Sequence, residues 1–260
     1  MNHVYKRPGP PSGATRTIFI QIQYEGSKYV GWQRQAKGTS IQGLLELSLQ
    51  RVACEKITLF SASRTDAGVH AIAQTASFSL KNSKTPVRAF VEGTNALLPD
   101  DIRVVDAKEV DLWFHSNQDA KEKTYRYYFR IGRQPMVFLR KYAWQVFRPL
   151  DLNLMKNASQ YLIGKHDFSA FRTRGQLTKT SIREIRKINW GEDFFGLYYF
   201  EITATGFLKH MVRNIFGTLV EVGLKKKTPE EIQKILESKQ RKMAGQTAPP
   251  HGLFLWHVLY

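Results

Sequence analysis

A single carboxylate beside a cation and a glycine turn is the part of this sequence best suited to chemistry. Asp66 stands in the heptapeptide R-T-D-A-G-V-H (residues 64–70), shortly after the stretch 58–60, which predicts a strand. Ala67 and Gly68 are small enough to let the backbone of a tight loop approach a ligand closely. We therefore expect Asp66 to lie at a strand end, exposed to a cleft, where it could act as a nucleophile or a general base.

The plainer interpretation of the heptapeptide is a turn in which Asp66 accepts a hydrogen bond from its own backbone. A glycoside hydrolase would need a second catalytic carboxylate, and none lies close to Asp66 along the chain. The acidic pair Asp100-Asp101 follows Leu98-Pro99, a pattern typical of a turn and the start of a strand. The heptapeptide therefore offers the chemistry of one carboxylate, and its role depends on what the rest of the chain brings to it.

Metal and thiol chemistry find little support in the sequence. Cys54 is the only cysteine, so the chain has no intrachain disulfide and no site with several thiolate ligands, as fits a reducing cytosol. We expect its thiol to be buried and inert at the end of a helix over 40–54. The seven histidines lack the paired spacing of a metal site, and we expect His70, His166 and His210 to have structural roles. The sequence therefore predicts neither a metal nor a cofactor.

Alternating and helical patterns divide the chain into the elements that must position these residues. The stretch 17–24 alternates apolar and polar residues and predicts a strand, and Thr39 with Gln42 has the spacing of a capping box at a helix start. Thr85-Pro86 is typical of the first turn of another helix. The remaining predicted strands are 57–63, 73–80, 101–109, 122–131, 181–190, 195–204 and 253–259, and the remaining predicted helices are 151–163, 207–222 and 228–237.

The helix predicted over 207–222 has one apolar face and one polar edge. Arg213, with Asn214 and Gly217, lies off the apolar face, so we expect Arg213 to be able to point into a cleft. The residues of the apolar face, which we expect in the core, are Leu208, Met211, Val212, Ile215, Phe216 and Leu219.

Several short segments of the sequence resemble motifs of the tRNA pseudouridine synthase A family, and they follow one another in the family's order over about residues 17–260. The most specific are the heptapeptide at 64–70 and M-V-R-N at 211–214. The other matching segments are G-W-Q-R-Q at 31–35, S-I-Q-G at 40–43, N-A-L-L-P at 95–99, the stretch 114–127, H-D-F-S-A-F at 166–171 and A-P-P-H-G-L at 248–253.

The resemblance implies a role for each of five residues. Asp66 matches the catalytic aspartate of the family, and Arg213 matches the arginine that pairs with it. Tyr125 matches the tyrosine that stacks on the substrate, and Leu253 matches the apolar residue that closes the pocket. Arg64 matches the arginine that helps to displace the target nucleotide. Without the resemblance, Tyr125 would be expected to pack within a sheet, Arg213 to lie on the surface and Leu253 to lie in the core.

One position departs from the family pattern. Asn117 stands where the family usually has an arginine, and asparagine cannot carry that positive charge.

The resemblance also implies a fold and a division of the chain. The fold is α+β, with a central, mostly antiparallel sheet made by two pseudo-symmetric halves, flanked by helices, and a cleft between the halves. The first half would span 16–131 and carry Asp66, and the second half, 132–260, would complete the cleft. The prolines and glycines of residues 1–15 predict a mobile N-terminal arm before them.

The charge of the chain agrees with a nucleic-acid partner. The formal net charge is +17 and the sequence pI is about 9.9, which produce a strong positive field. Seven basic residues lie between positions 165 and 187, and a solvated surface is the alternative explanation for such a cluster. We expect Arg172, Arg174 and Lys179 of this cluster to bind RNA.

The resemblance implies a homodimeric isomerase that converts uridine to pseudouridine in the anticodon arm of tRNA, at positions 38–40, without a cofactor. A non-catalytic RNA-binding or RNA-chaperone protein on the same scaffold is the alternative from another class, and a metal-dependent nuclease is a further one. No run approaches the roughly 20 apolar residues that a membrane span needs, and the first 14 residues do not resemble a signal peptide. We therefore expect a cytoplasmic protein with no membrane partner.

Overall fold

One open sheet of ten strands, accompanied by five helices, makes up the part of the chain that the computed structural model describes: residues 10, 12–173, 175 and 180–260. The strands are β1 (Arg16–Tyr24), β2 (Phe60–Ser61), β3 (His70–Leu80), β4 (Ile102–Val110), β5 (Glu122–Ile131), β6 (Trp144–Val146), β7 (Gly164–Asp167), β8 (Ile182–Glu192), β9 (Tyr198–Ala204) and β10 (Leu253–Leu259). The helices are α1 (Ile41–Ala53), α2 (Ala89–Asn95), α3 (Leu152–Gln160), α4 (Met211–Gly223) and α5 (Glu231–Ser238).

The order of strands in the sheet is β4-β1-β3-β10-β5-β9-β8-β7, with β2 paired to β3 and β6 paired to β5. Among the described pairings only β3–β10 and β5–β6 are parallel. The predicted α+β fold with a mostly antiparallel sheet is therefore confirmed. The last strand of the chain lies in the middle of the sheet, because β10 is inserted between β3 and β5.

The predicted elements are all found, with differences at their ends. The strand predicted over 57–63 is reduced to β2, and the helix that follows Thr85-Pro86 begins only at Ala89. The short strands β6 and β7 were not predicted, because three or four residues are too few to show an alternating pattern. No described helix has both the length and the apolar character to cross a membrane. Residues 1–9 and 11 of the predicted N-terminal arm lie outside the described residues, so its mobility stays a prediction.

Helix α1 shows two errors of the sequence prediction. Its N-cap is Ser40, whose Oγ accepts a hydrogen bond from the Gly43 amide at 3.2 Å, and Thr39 precedes the cap by one residue. Cys54 is exposed and not buried. This residue forms the C-cap in a left-handed conformation, with φ of 54°, so it has left the helical path that would have carried it toward the core.

Helix α4 packs its apolar face into the core as predicted. The Phe216 ring stacks on Tyr127 of β5, with 4.3 Å between centroids. The helix begins at Met211, later than predicted, because His210 before it has a left-handed backbone with φ of 59°. All the residues predicted for this face are buried, namely Leu208, Met211, Val212, Ile215, Phe216 and Leu219.

The three residues off the apolar face of α4 have different surroundings. Asn214 is fully buried, where its amide donates to the Phe171 carbonyl at 2.8 Å and its side-chain oxygen accepts two further hydrogen bonds. Gly217 packs against the backbone of Gln246, and a Cβ there would lie 1.8 Å from the Gln246 carbonyl oxygen. Only Arg213 faces the cleft, and the other two residues hold α4 against its neighbours.

We expect Gly217→Ala to lower the free energy of unfolding by about 2 kcal/mol, since the new methyl group can be accommodated only by moving a backbone segment. Urea unfolding followed by circular dichroism measures the change. Gly93→Ala in α2 is the matched control, because its nearest neighbour is a Val52 methyl group at 3.2 Å that can shift by a few tenths of an ångström. Its effect should stay within about 1 kcal/mol, and an equally small effect at Gly217 would contradict the expected clash.

Candidate active site

An open cleft of about 880 Å³ lies where the loop before β3, the start of α4 and the central strands β5 and β10 meet. Among the described residues that line it there is one carboxylate, Asp66, and there are five lysines or arginines. The cleft is therefore strongly basic around a single acidic group. Its basic residues are Arg64, Lys123, Arg183, Lys209 and Arg213.

Asp66 lies in the tight loop between β2 and β3, as the sequence predicts. The Asp66 carbonyl accepts a hydrogen bond from the Val69 amide at 3.2 Å, and Gly68 supplies the positive φ, 77°, that this turn needs. The loop is pressed against Gly31, where a Cβ would lie 2.7 Å from the Thr65 carbonyl oxygen. This close backbone packing fixes the loop and leaves the Asp66 side chain facing the cleft, about a quarter exposed.

Arg213 is the nearest cation to the Asp66 carboxylate. Its Nη1 donates to Asp66 Oδ2 at 3.2 Å, and its Nε donates to the Ala248 carbonyl at 2.8 Å. The side chain is 12 % exposed, so this ion pair is partly shielded from water. Among the described residues, the partners of the carboxylate come from α4 and its N-cap and not from the turn of Asp66 itself. This geometry disfavours the interpretation of Asp66 as a mere turn residue.

His210 is a second basic residue at the carboxylate, although the sequence analysis expected only a structural role for it. Its Nε2 lies 3.5 Å from Asp66 Oδ1, and its Nδ1 lies 3.0 Å from the Thr173 hydroxyl. Burial lowers the pKa of His210 and outweighs the Asp66 charge, which acts in the opposite direction, so the imidazole is neutral at pH 7. The only signal in the sequence was its position just before M-V-R-N, because a lone histidine shows no spacing that marks a site.

Tyr125 forms an aromatic wall of the cleft together with Phe207. The two rings are 5.0 Å apart and nearly perpendicular, at 85°. The Tyr125 hydroxyl is hydrogen-bonded to the Ser63 hydroxyl at 2.7 Å. Burial raises the pKa of Tyr125, so the phenol stays neutral and its ring is the part that can meet a ligand.

Leu253 and Arg64 also line the cleft. Leu253 is buried at the start of β10 and supplies an apolar patch near the aromatic wall. Arg64 is exposed two residues before Asp66, and its guanidinium has no ion pair or hydrogen bond among the described residues. An exposed guanidinium without protein partners can reach a nucleic acid without breaking an internal contact.

Asn117 has a defined structural role in place of the expected arginine. Its amide donates to the Ala62 carbonyl at 2.6 Å, just before the loop that carries Asp66. The Lys123 ammonium donates to the same carbonyl. Asn117 therefore helps to hold the root of this loop without adding charge to the cleft.

The predicted RNA-binding residues of the second half lie mostly beyond what the structure describes. Arg172 is half-buried and is not among the residues that line the cleft. Arg174 and Lys179 lie outside the described residues. The described residues contain no group of three or more histidine, cysteine, aspartate or glutamate side chains placed to hold a metal ion.

A cleft that combines basic and aromatic side chains around the Asp66 carboxylate suits an enzyme that acts on nucleic acid. A family described as tRNA pseudouridine synthase matches residues 20–118 and 158–260. The tRNA pseudouridine synthase A of Thermoanaerobacter sp. (strain X514) is 43 % identical over 247 residues, which cover 94 % of this chain and 100 % of that protein. The enzyme of the same name from Myxococcus xanthus is 44 % identical over 241 residues, 93 % of this chain and 91 % of that protein.

These matches extend over almost the whole chain and include the heptapeptide that carries Asp66. The chain belongs to the tRNA pseudouridine synthase family.

Proposed function

We propose that the protein isomerises uridine to pseudouridine in the anticodon arm of tRNA, at positions 38–40, with Asp66 as the catalytic carboxylate. The observation that carries this proposal is the position of Asp66, which lies in a basic cleft between Arg213 and His210. Family membership supports the reaction, since the relatives named above are tRNA pseudouridine synthases.

The reaction needs few protein groups. The N1–C1′ bond of the nucleotide breaks, the detached base turns, and C5 bonds to C1′ while the C5 proton is lost and N1 gains one. Atoms and electrons balance without a redox partner or a group donor, so the chemistry itself requires no cofactor. The Asp66 carboxylate can act by attacking the sugar carbon or the base, or by removing a proton from the sugar.

The neighbours of Asp66 suit a nucleotide turned out of its helix. Enzymes that modify a stacked base extrude it into a pocket, and an aromatic ring offers a platform for it. Tyr125 and Phe207 would contact the base, Leu253 would close the pocket, and the free guanidinium of Arg64 would take the place of the base in the stack. Arg213 would orient the carboxylate through its two hydrogen bonds.

The assembly and location are proposed on the resemblance and the composition. A cytoplasmic homodimer would bind one tRNA across both subunits, with Arg172, Arg174 and Lys179 of each subunit on the RNA backbone. The formal charge of +17 supports a polyanionic partner. Measurement of the mass in solution, with and without tRNA, tests the dimer.

The proposal is tested by incubating the protein with an unmodified tRNA transcript in buffer that contains a metal chelator. Pseudouridine, detected by carbodiimide labelling and primer extension, is expected at positions 38–40 with an intact chain on a denaturing gel. Cleavage that requires added metal would indicate a nuclease. Binding without pseudouridine or cleavage would favour the RNA-binding or RNA-chaperone alternative.

We expect Tyr125→Leu to lower kcat/KM for pseudouridine formation about 10- to 100-fold, because a base stacked on an aromatic side chain gains about 1–3 kcal/mol. Single-turnover rates with labelled tRNA measure the loss. Tyr125→Phe is the matched control, since it keeps the ring and removes only the hydrogen bond to Ser63. An equal loss in both variants would show that the hydroxyl, and not the ring, is what matters.

A further inference from the structure

Lys123 is a buried cation that lacks a counter-charge. The residue is 9 % exposed and lines the cleft from β5. Its ammonium donates to the Ala62 carbonyl, which also accepts the hydrogen bond of the Asn117 amide. An ammonium has three donors, and no second acceptor and no carboxylate contacts it among the described residues. Burying a charge is costly unless it is paired, so a partner is missing here.

A second cation faces the same part of the cleft. Arg183 of β8 is close enough for its charge to act on Lys123, and its Nη1 donates only to the backbone carbonyls of Thr180 and Ile182 within the described residues. Its guanidinium lies over Gly206, where a Cβ would be 3.6 Å from Arg183 Nε. Asp66, which is the one acidic group among the described lining residues of the cleft, is contacted by Arg213 and His210. Lys123 and Arg183 therefore face a region in which no described residue supplies an anion.

The placement of Lys123 and Tyr125 on one strand indicates the kind of anion. The two residues are two positions apart on β5, so their side chains leave the same face of the sheet from Cα atoms about 6–7 Å apart. The base and the phosphate of one nucleotide can span two neighbouring side chains at such a spacing. A base held against Tyr125 would thus place a backbone phosphate near the Lys123 ammonium.

We propose that Lys123 and Arg183 form a subsite for a phosphodiester next to the nucleotide that enters the cleft, and that the RNA supplies the counter-charge which Lys123 lacks. This inference rests on the proposed function for the identity of that nucleotide, the target uridine. The buried ammonium would stabilise the bound RNA only when the nucleotide is turned into the cleft, because the phosphate would otherwise not reach it. The subsite would therefore favour the extruded state over simple attachment to the surface.

The protonation of Lys123 makes phosphate binding visible as a pH dependence of RNA affinity. Burial, helped by the charge of Arg183, lowers the pKa of Lys123 to about 8. A phosphate favours the charged form, so affinity for RNA should fall as pH rises through this value. Burial lowers the pKa of His210 and raises the pKa of Tyr125, so neither of these cleft residues gains or loses a charge between pH 7 and 8.5. The other charged side chains among the described lining residues are Arg64, Asp66, Arg183, Lys209 and Arg213.

The first test measures the affinity of the full-length protein for an unmodified anticodon stem-loop RNA at pH 7 and pH 8.5. The dissociation constant of the parental protein should rise about fourfold, in proportion to the loss of charged Lys123. Lys123→Arg, which keeps the charge at both pH values, is the matched control and should show no such rise. Arg183→Gln should weaken binding at pH 7 and shift the pH dependence upward, because it removes a charge that repels the ammonium. A parental affinity equal at both pH values, or the same rise in Lys123→Arg, would overturn the proposal.

The second test neutralises the phosphate itself. Stem-loops in which the phosphodiester 5′ or 3′ of the target uridine is replaced by a methylphosphonate should bind the parental protein about tenfold more weakly in one of the two positions. In Lys123→Met the same replacement should cost less than about twofold, since the partner of that phosphate is already gone. An equal cost in both proteins would show that Lys123 only supports the Ala62 carbonyl. Pseudouridine formation is measured separately, so loss of the proposed function and loss of the subsite give different results.

Discussion

Replacing Asp66 with asparagine is expected to reduce kcat for pseudouridine formation by at least about 10³-fold while tRNA affinity changes by less than about threefold. The amide keeps the size of the carboxylate but removes the charge that the chemistry needs. Affinity should not suffer, because the substitution removes the one negative group from a cleft with five lysines or arginines among its described lining residues. Single-turnover kinetics with labelled tRNA and filter binding measure the two effects independently.

Asp106→Asn is the matched control for this prediction. Asp106 is exposed on β4 and does not line the cleft, and its replacement makes the same change of charge. Its turnover should match the parental rate. Turnover of Asp66→Asn within tenfold of the parental rate would contradict a catalytic role for Asp66.

Arg213→Lys is expected to lower kcat about 100-fold although the positive charge is kept. The guanidinium uses Nη1 for Asp66 and Nε for the Ala248 carbonyl at the same time, and a lysine ammonium cannot reproduce that planar fork. Arg88→Lys, on the exposed surface next to α2, is the control and should be neutral. Melting temperatures of both variants separate a loss of catalysis from a loss of fold.

Arg213→Met should be slower still, because it removes both the charge and the donor to Ala248. Rates of Arg213→Lys close to the parental value would mean that charge alone orients the carboxylate. Equal rates for lysine and methionine variants would instead show that the two hydrogen bonds carry the whole effect.

The long periodic segments were the part of the fold that sequence patterns predicted well. The strand at 17–24 and the helix α4 each bury one side. The residues that the repeat of apolar positions selects are therefore the residues that the structure buries. Left-handed backbone was not predictable in this way. Cys54 and His210 both have positive φ values, so α1 ends before Cys54 and α4 begins only after His210.

The candidate site depended on resemblance more than on pattern. Asp66 and Arg213 are 147 residues apart, and no spacing rule relates the loop before β3 to the start of α4. The sequence offered motifs for both residues, but only the fold puts one against the other.

The same cleft is also lined by residues that no motif marks, namely His210, Phe207 and Lys123. An isolated histidine, phenylalanine or lysine has no spacing in the sequence that tells whether it lies in the core, on the surface or in a site.

The central position of β10 has a consequence for how the enzyme is made. Residues 253–259 are synthesised after both of the strands they pair with, β3 and β5, so the middle of the sheet can close only once β10 has left the ribosome. Until then β3 and β5 each present an unpaired edge toward the other, and such edges are the surfaces most prone to improper association. Leu253, at the start of β10, reaches the cleft only when β10 is inserted. A nascent chain without β10 can therefore bind RNA through its charge before its pocket is complete.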